Sequence, residues 1–218
     1  MAVSKPPGLL SVPIPGMRSL NLQDMVRRDH GDSLRPAHRI DRYTSGIVLF
    51  AKSSKAHYKL MKQFRMRTAK RSYLALVRGV VEPKTGTLVH YMKRIKKGFR
   101  NVVVDKDDDE GTRAELNYSV MEQYPNSCLL RVDLVSGLKN QIRVQLSEAG
   151  YPLIGDRHYN VQEENEPWID RQALHAAELG IVHPVDGREL TFRSPVPQDM
   201  EKLISIYKKG QGAKGLRG

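Results

Sequence analysis

Apolar residues recur along this chain in two rhythms, and the change between them marks its elements. Helical spacing of Leu22, Met25 and Val26 predicts a short helix over residues 21–28, with Gly31 as its stop. Residues 47–51 are continuously apolar and rich in branched side chains, as in a buried strand. Ser53 then stands where a helix cap belongs, and Ala56, Leu60, Met61 and Phe64 fall on the inner face of the helix that follows. Strands are predicted over 72–77, 87–91, 101–104, 114–120 and 127–136, joined by connectors too short for helical crossovers, so their pairing should be antiparallel. Ile142, Leu146 and Ala149 predict a helix over 140–149 that ends at Gly150. Residues 174–182 and 189–192 read as strands around a turn at Asp186-Gly187. The last helix begins near Pro197 and turns Met200, Leu203, Ile204 and Tyr207 inward.

Strands that outnumber helices and are joined by hairpins predict an α+β fold, a mixed and mostly antiparallel central sheet with flanking helices and loops. Residues 1–209 should form a single domain, and 210–218 a disordered basic tail. Lys5-Pro6-Pro7-Gly8 reads as a loop ordered by Leu9 and Leu10, and the polar, acidic residues 161–167 as a mobile surface excursion.

Composition narrows the picture. The 218 residues suffice to bury a core without staples, and the one cysteine, Cys128, lies in an apolar run and fits a reducing, cytoplasmic setting. No run of about 18 apolar residues occurs, which argues against a membrane span. The formal charge of +12, from 36 Lys and Arg against 24 Asp and Glu, suits a protein that approaches a polyanion, nucleic acid or ribosome. The seven histidines show no ligand spacing, so no metal is expected, and neither a G-x-G-x-x-G nor a P-loop lysine motif points to a nucleotide cofactor.

The densest chemistry lies at His38-Arg39-Ile40-Asp41-Arg42-Tyr43-Thr44-Ser45-Gly46. A carboxylate flanked by Arg39 and Arg42 stays ionised at neutral pH and can serve as a nucleophile, although a salt-bridged turn would look the same. This segment resembles the H-R-L-D-x-x-T-S-G signature of the RluA family of RNA pseudouridine synthases, with Ile40 in place of leucine. Three further segments match in order. Residues 71–79 resemble the second motif, in which Tyr73 is the residue carried over. Residues 136–144 resemble G-R-T-H-Q-I-R-V, with Leu138, Lys139 and Asn140 replacing Arg, Thr and His while Arg143 is kept. Residues 150–159 resemble G-x-P-I-x-G-D-x-x-Y, followed by Leu174-His175-Ala176, and residues 5–13 resemble the family's opening strand and loop.

The resemblance implies a cofactor-independent isomerase of uridine in rRNA or tRNA, a catalytic domain without a preceding S4 domain, acting as a monomer. It implies Asp41 as the catalytic aspartate, Arg143 as its guanidinium partner and Tyr73 as the ring that holds the base. Arg39, His38, Arg42, Thr44, Lys139 and Asn140 would contact RNA, with Arg39 filling the gap left by a flipped uridine. Whether Asp41 attacks sugar or base, or supports a glycal-forming path, stays open. Asp156, the nearest second acid, reads as structural, which disfavours a glycoside hydrolase. The basic run 93–100 is the first guess for a further RNA-facing element. The alternative from another class is a non-catalytic RNA-binding or ribosome-assembly protein on the same fold.

Overall fold

A computed structural model describes residues 1–95, 100–160 and 168–210. The expected excursion over 161–167, the expected tail beyond Gly210 and the centre of the basic run therefore lie outside the described residues. In chain order the elements are β1 (Ala2–Lys5), α1 (Leu22–His30), β2 (Arg35–Pro36), β3 (Ser45–Ala51), α2 (Ser54–Arg65), β4 (Lys70–Arg78), β5 (Thr85–Arg94), β6 (Asn101–Val104), β7 (Thr112–Tyr124), β8 (Ser127–Leu134), α3 (Gln141–Glu148), β9 (Leu174–Val182), β10 (Glu189–Arg193) and α4 (Gln198–Lys208). Among the pairings whose register is described, all are antiparallel apart from that of β3 with β9, so the α+β, mixed and mostly antiparallel expectation holds. The chain divides into two compact units, Met1–Arg71 with His175–Val196, and Ser72–Leu174 with the segment from Pro197.

In the first unit β3 is the axis. All seven of its residues are buried, which is why its sequence lacks polar alternation. β1 pairs with it antiparallel from Ala2↔Leu49 to Lys5↔Gly46, β9 pairs with it parallel at Ser45↔His175 and Gly46↔Ala176, and β10 pairs with β9. Strand β1, Ala2–Lys5, corrects the expectation of a plain loop opening at Lys5. Helix α2 lays Leu60 against Ala37, Ile47, Leu49, Ala51, Leu179 and Ile181, with Ala56 and Phe64 at the margin. Met61, expected on this inner face, is exposed, because it lies one step round the helix from Leu60. Asn21 and Ser53 cap α1 and α2 as their chemistry allows, each side chain accepting from a backbone N–H three residues on.

In the second unit β4, β8, β7, β5 and β6 follow one another as antiparallel neighbours. β7 runs well beyond the expected 114–120. A register shift between Val120 and Glu122 leaves Met121 exposed, and this bulge breaks the alternation that a sequence reading relies on. Helix α3 is buried from Gln141 to Leu146, so apolar spacing alone understates its burial. Its two glutamines make this possible. The Gln141 amide donates to the Glu115 carbonyl and to Gln145, and the Gln145 amide donates to the carbonyls of Leu88 and Ala114.

Gly46 is the tightest point of the first unit. Its φ is +116°, and a Cβ there would lie 2.2 Å from the Ala176 carbonyl oxygen. Gly46→Ala is expected to cost about 3 kcal/mol or more in chemical unfolding, while Gly8→Ala, where φ is also positive but nothing lies within 4 Å, should cost less.

Candidate active site

The signature loop enters β3 from a path that the first unit fixes residue by residue. Ser11, buried, clamps Ile40 from both sides: its hydroxyl donates to the Ile40 carbonyl at 2.8 Å and accepts from the Ile40 N–H at 3.1 Å. The Asp41 carbonyl accepts from the Thr44 N–H at 3.1 Å, closing a turn. The Arg42 carbonyl accepts from Lys5 Nζ at 2.9 Å, and the same ammonium donates to the carbonyls of Pro6 and Leu9 at 2.9 and 2.8 Å. Lys5 is 1% exposed, so these three carbonyls stand where water would otherwise be. Ser45 bonds His175 Nδ1 at 3.0 Å, and His175 Nε2 lies 3.2 Å from the Ser194 carbonyl. Nε2 can only donate to that carbonyl, so in a neutral ring Nδ1 accepts and the Ser45 hydroxyl donates.

Asp41 itself is half-buried, between exposed Arg39 and exposed Arg42. The Arg42 Nε donates to the Gly8 carbonyl at 2.8 Å, and its guanidinium lies 5.4 Å from the centroid of the Tyr43 ring. Two of the residues expected to meet RNA face inward instead. Thr44 is 2% exposed, which places its side chain in the core of the loop. His38 stacks on Phe64 with ring centroids 4.6 Å apart, and its Nε2 accepts from the Leu49 N–H at 3.1 Å. Burial, and then the charge of Arg71, push its pKa down to about 3, so the ring is neutral and serves as a strut. Both therefore shape the loop rather than its outer surface.

The second unit carries Tyr73, Lys139, Asn140 and Arg143. Tyr73 is buried in β4 opposite Val132. Lys139 is exposed, and its carbonyl accepts from Asn101 Nδ2 at 2.6 Å. Asn140 stands at the N-cap position of α3 with φ +57°, a left-handed conformation that asparagine adopts readily; its side chain makes no capping bond, and its amide donates instead to the Tyr159 hydroxyl at 3.1 Å. Arg143 makes a bidentate pair with Asp156, Nε to Oδ2 at 2.7 Å and Nη2 to Oδ1 at 2.8 Å, while its guanidinium lies 4.9 Å from the centroid of the Tyr159 ring. Burial opposes ionisation of Asp156, but the bonds and charge of Arg143 and the N–H groups of His158 and Tyr159 outweigh it, and its pKa lies below the ordinary carboxylate range.

Asp156 pairs with Arg143, the residue that the family resemblance also assigns to Asp41. The Asp156 to Tyr159 spacing within the fourth motif was the available signal, since residues three apart in a turn can meet one side chain together. Lys5, Ser11 and His175 were missed as loop supports. All three lie inside matched segments, yet only the fold shows what they hold. In the basic run, Lys93 pairs with Asp108 at 2.5 Å and lies 4.0 Å from Glu110. Among the described residues no group of three His, Cys, Asp or Glu side chains could hold a metal, and no helix is long and apolar enough to cross a membrane.

Arg143→Met should cost about 3–5 kcal/mol in urea unfolding, because it strands the buried Asp156 carboxylate, and adding Asp156→Leu should recover much of that loss. The His38 ring predicts a pH slope. Its folded pKa, about 3, lies below the ordinary histidine value of 6.5, so the unfolded chain binds more protons between those values and stability falls as pH drops through that window. His38→Gln, which keeps an acceptor but does not titrate, should flatten this part of the stability profile relative to wild type.

A model of the RNA pseudouridylate synthase family matches residues 1–148. The uncharacterized RNA pseudouridine synthase YlyB of Bacillus subtilis is 33% identical over 217 residues, covering 96% of this chain and 70% of that protein. Ribosomal large subunit pseudouridine synthase D of Nitrosomonas europaea is 37% identical over 177 residues, covering 78% of this chain and 50% of that one. Its namesake in Pseudomonas aeruginosa is 31% identical over 229 residues, covering 98% and 70%. This chain thus spans from half to 70% of the length of these relatives. The solved structure of human RNA pseudouridylate synthase domain containing 4 shares the fold, with a TM-score of 0.78 at 21% identity over 95% of this chain and 89% of that one. With the loop, the four motifs in order and these matches in agreement, the chain belongs to the RNA pseudouridylate synthases, in the RluA family.

Proposed function

We propose that this chain isomerises uridine to pseudouridine in rRNA or tRNA, with Asp41 as the catalytic carboxylate. The observation that carries the reading is the signature loop, in which the backbone carbonyls of Ile40, Asp41 and Arg42 are each held while Asp41 sits between two exposed arginines. A fixed carboxylate beside positive charge is what attack at C1′ or on the base requires, and equally what a charged glycal-forming path requires. The reaction breaks the N1–C1′ bond, forms C5–C1′, and moves the C5 proton to solvent while N1 gains one. Atoms and electrons balance without a cofactor.

Tyr73 takes the role of holding the base and Arg143 that of supporting the aspartate, as the family resemblance implies; both are buried. Arg39, Arg42, Lys139 and Asn140 are the proposed RNA contacts, the first three supported by their exposure. Residues 1–209 act as one catalytic domain, and the protein works as a monomer in the cytoplasm, a setting with which the buried, unbridged Cys128 agrees.

Tritium release from RNA labelled at uridine C5 tests the reading directly. The wild type should release tritium from an rRNA or tRNA transcript, and Asp41→Asn should bind the same RNA with similar affinity and release essentially none. Equal release by both proteins would remove Asp41 from the chemistry. Binding without release by either would favour the RNA-binding or assembly alternative.

A further inference from the structure

We infer that Ser11 is a positioning residue for Asp41, acting through Ile40. The inference rests on Asp41 being the catalytic carboxylate and adds to that reading the group that sets its place. Ser11 is 3% exposed and has one partner residue on its hydroxyl side, Ile40, whose N–H and C=O it engages together. Those two groups belong to successive peptide planes, and the second of them ends at Asp41 Cα. A single hydroxyl therefore fixes both the tilt and the height of the backbone from which the carboxylate projects.

The hydroxyl is itself anchored. The Leu10 carbonyl accepts from the Leu22 N–H at 2.8 Å and the Ser11 carbonyl accepts from the Gln23 N–H at 3.2 Å, so Leu10 and Ser11 are bonded to the first turn of α1. Helix α1 is in turn closed at both ends, by Asn21 accepting from the Asp24 N–H and by the Gly31 N–H donating to the Arg27 carbonyl. The path from a rigid helix to the carboxylate is then one hydroxyl and one residue long. On the far side of Asp41 the Arg42 carbonyl is held by Lys5, from the same N-terminal segment. The segment over residues 5–11 thus brackets the aspartate, and Ser11 forms the nearer arm.

A serine that serves only packing would lower stability when removed and leave turnover of the folded protein alone. A positioning serine would do more, because a shift of about 1 Å at a reacting group can cost on the order of a hundredfold in rate. The test uses the full chain and single-turnover tritium release at saturating RNA, below the melting temperature of every variant. Ser11→Ala should lower the rate on the order of tenfold to a hundredfold with RNA affinity unchanged, and Ser11→Thr, which restores a hydroxyl, should recover most of it. Ser53→Ala, which removes the cap of α2 and so destabilises the same unit, is the control and should keep the wild-type rate. A wild-type rate in folded Ser11→Ala overturns the inference, and so does a loss of rate matched by Ser53→Ala. If Ser11→Ala does not fold, Ser11→Cys, nearly isosteric with a weaker hydrogen bond, takes its place with the same criteria. A wild type that releases no tritium from any RNA overturns the catalytic reading itself, an outcome distinct from any difference among the variants.

Discussion

Burial of the Lys5 ammonium is the constraint on which the signature loop depends. Taking a cation out of water costs several kcal/mol unless its donors find acceptors, and here the acceptors are the carbonyls of Pro6, Leu9 and Arg42. Those carbonyls come from two stretches of chain more than thirty residues apart, with sequence separations of 1, 4 and 37 from the lysine. The ammonium is satisfied only when the opening loop and the signature loop are both in place. Lys5 is also the last residue of β1, paired with Gly46 of β3, so strand pairing delivers the cation to its acceptors. Sheet register, loop conformation and the setting of Asp41 are therefore one cooperative event.

The two units solve a similar problem by different chemistry. The backbone of the signature loop is held by hydroxyls, an imidazole and one ammonium: Ser11 on Ile40, Ser45 with His175 at the entrance to β3, and Lys5 on Arg42. Around Arg143 the solution is ionic, with a bidentate carboxylate and an aromatic face. A guanidinium suits that place because its planar fork satisfies one acid completely and still presents a face for stacking. The buried pair also ties α3 to the loop that carries Asp156 and Tyr159, so the orientation of Arg143 is set by groups on a neighbouring segment and not by its helix alone.

Much of this architecture was legible in the sequence, for definite reasons. The apolar run of β3, the caps at Asn21 and Ser53 and the short connectors between β5, β7 and β8 are local signals, and local signals survive without the fold. Motif order singles out Asp41, Tyr73 and Arg143 as candidates, by the resemblance and not by any local signal. What could not be read is whatever depends on which way a side chain faces across a long sequence separation. Thr44 and His38 stand among arginines and hydroxyls in the motif, so they read as surface groups, yet one is in the core and the other is stacked on Phe64, 26 residues later in the sequence. Lys5 precedes two prolines and reads only as part of a loop, with nothing local to show that its ammonium is buried. The extension of β7 past Val120 was hidden by its bulge, which shifts the two-residue alternation by one.

Net charge and local charge have different consequences for a protein that meets a polyanion. With 36 basic residues against 24 acidic ones, a surplus of 12 remains even if every acid is matched, so positive surface is unavoidable. Where it collects depends on which bases have acids beside them. Several arginines are matched at close range, among them Arg188 with Asp186, Arg193 with Glu178 and Arg157 with Asp170. Helix α2 is the opposite case. Its sequence, SKAHYKLMKQFR, contains four Lys and Arg and no acid, and Lys55, Lys59, Lys62 and Arg65 are all exposed. The inner face of this helix is committed to β3 through Leu60, so its basic face must point outward, and packing rather than pairing decides where the positive field appears. Attraction of that kind is independent of base sequence and weakens with salt.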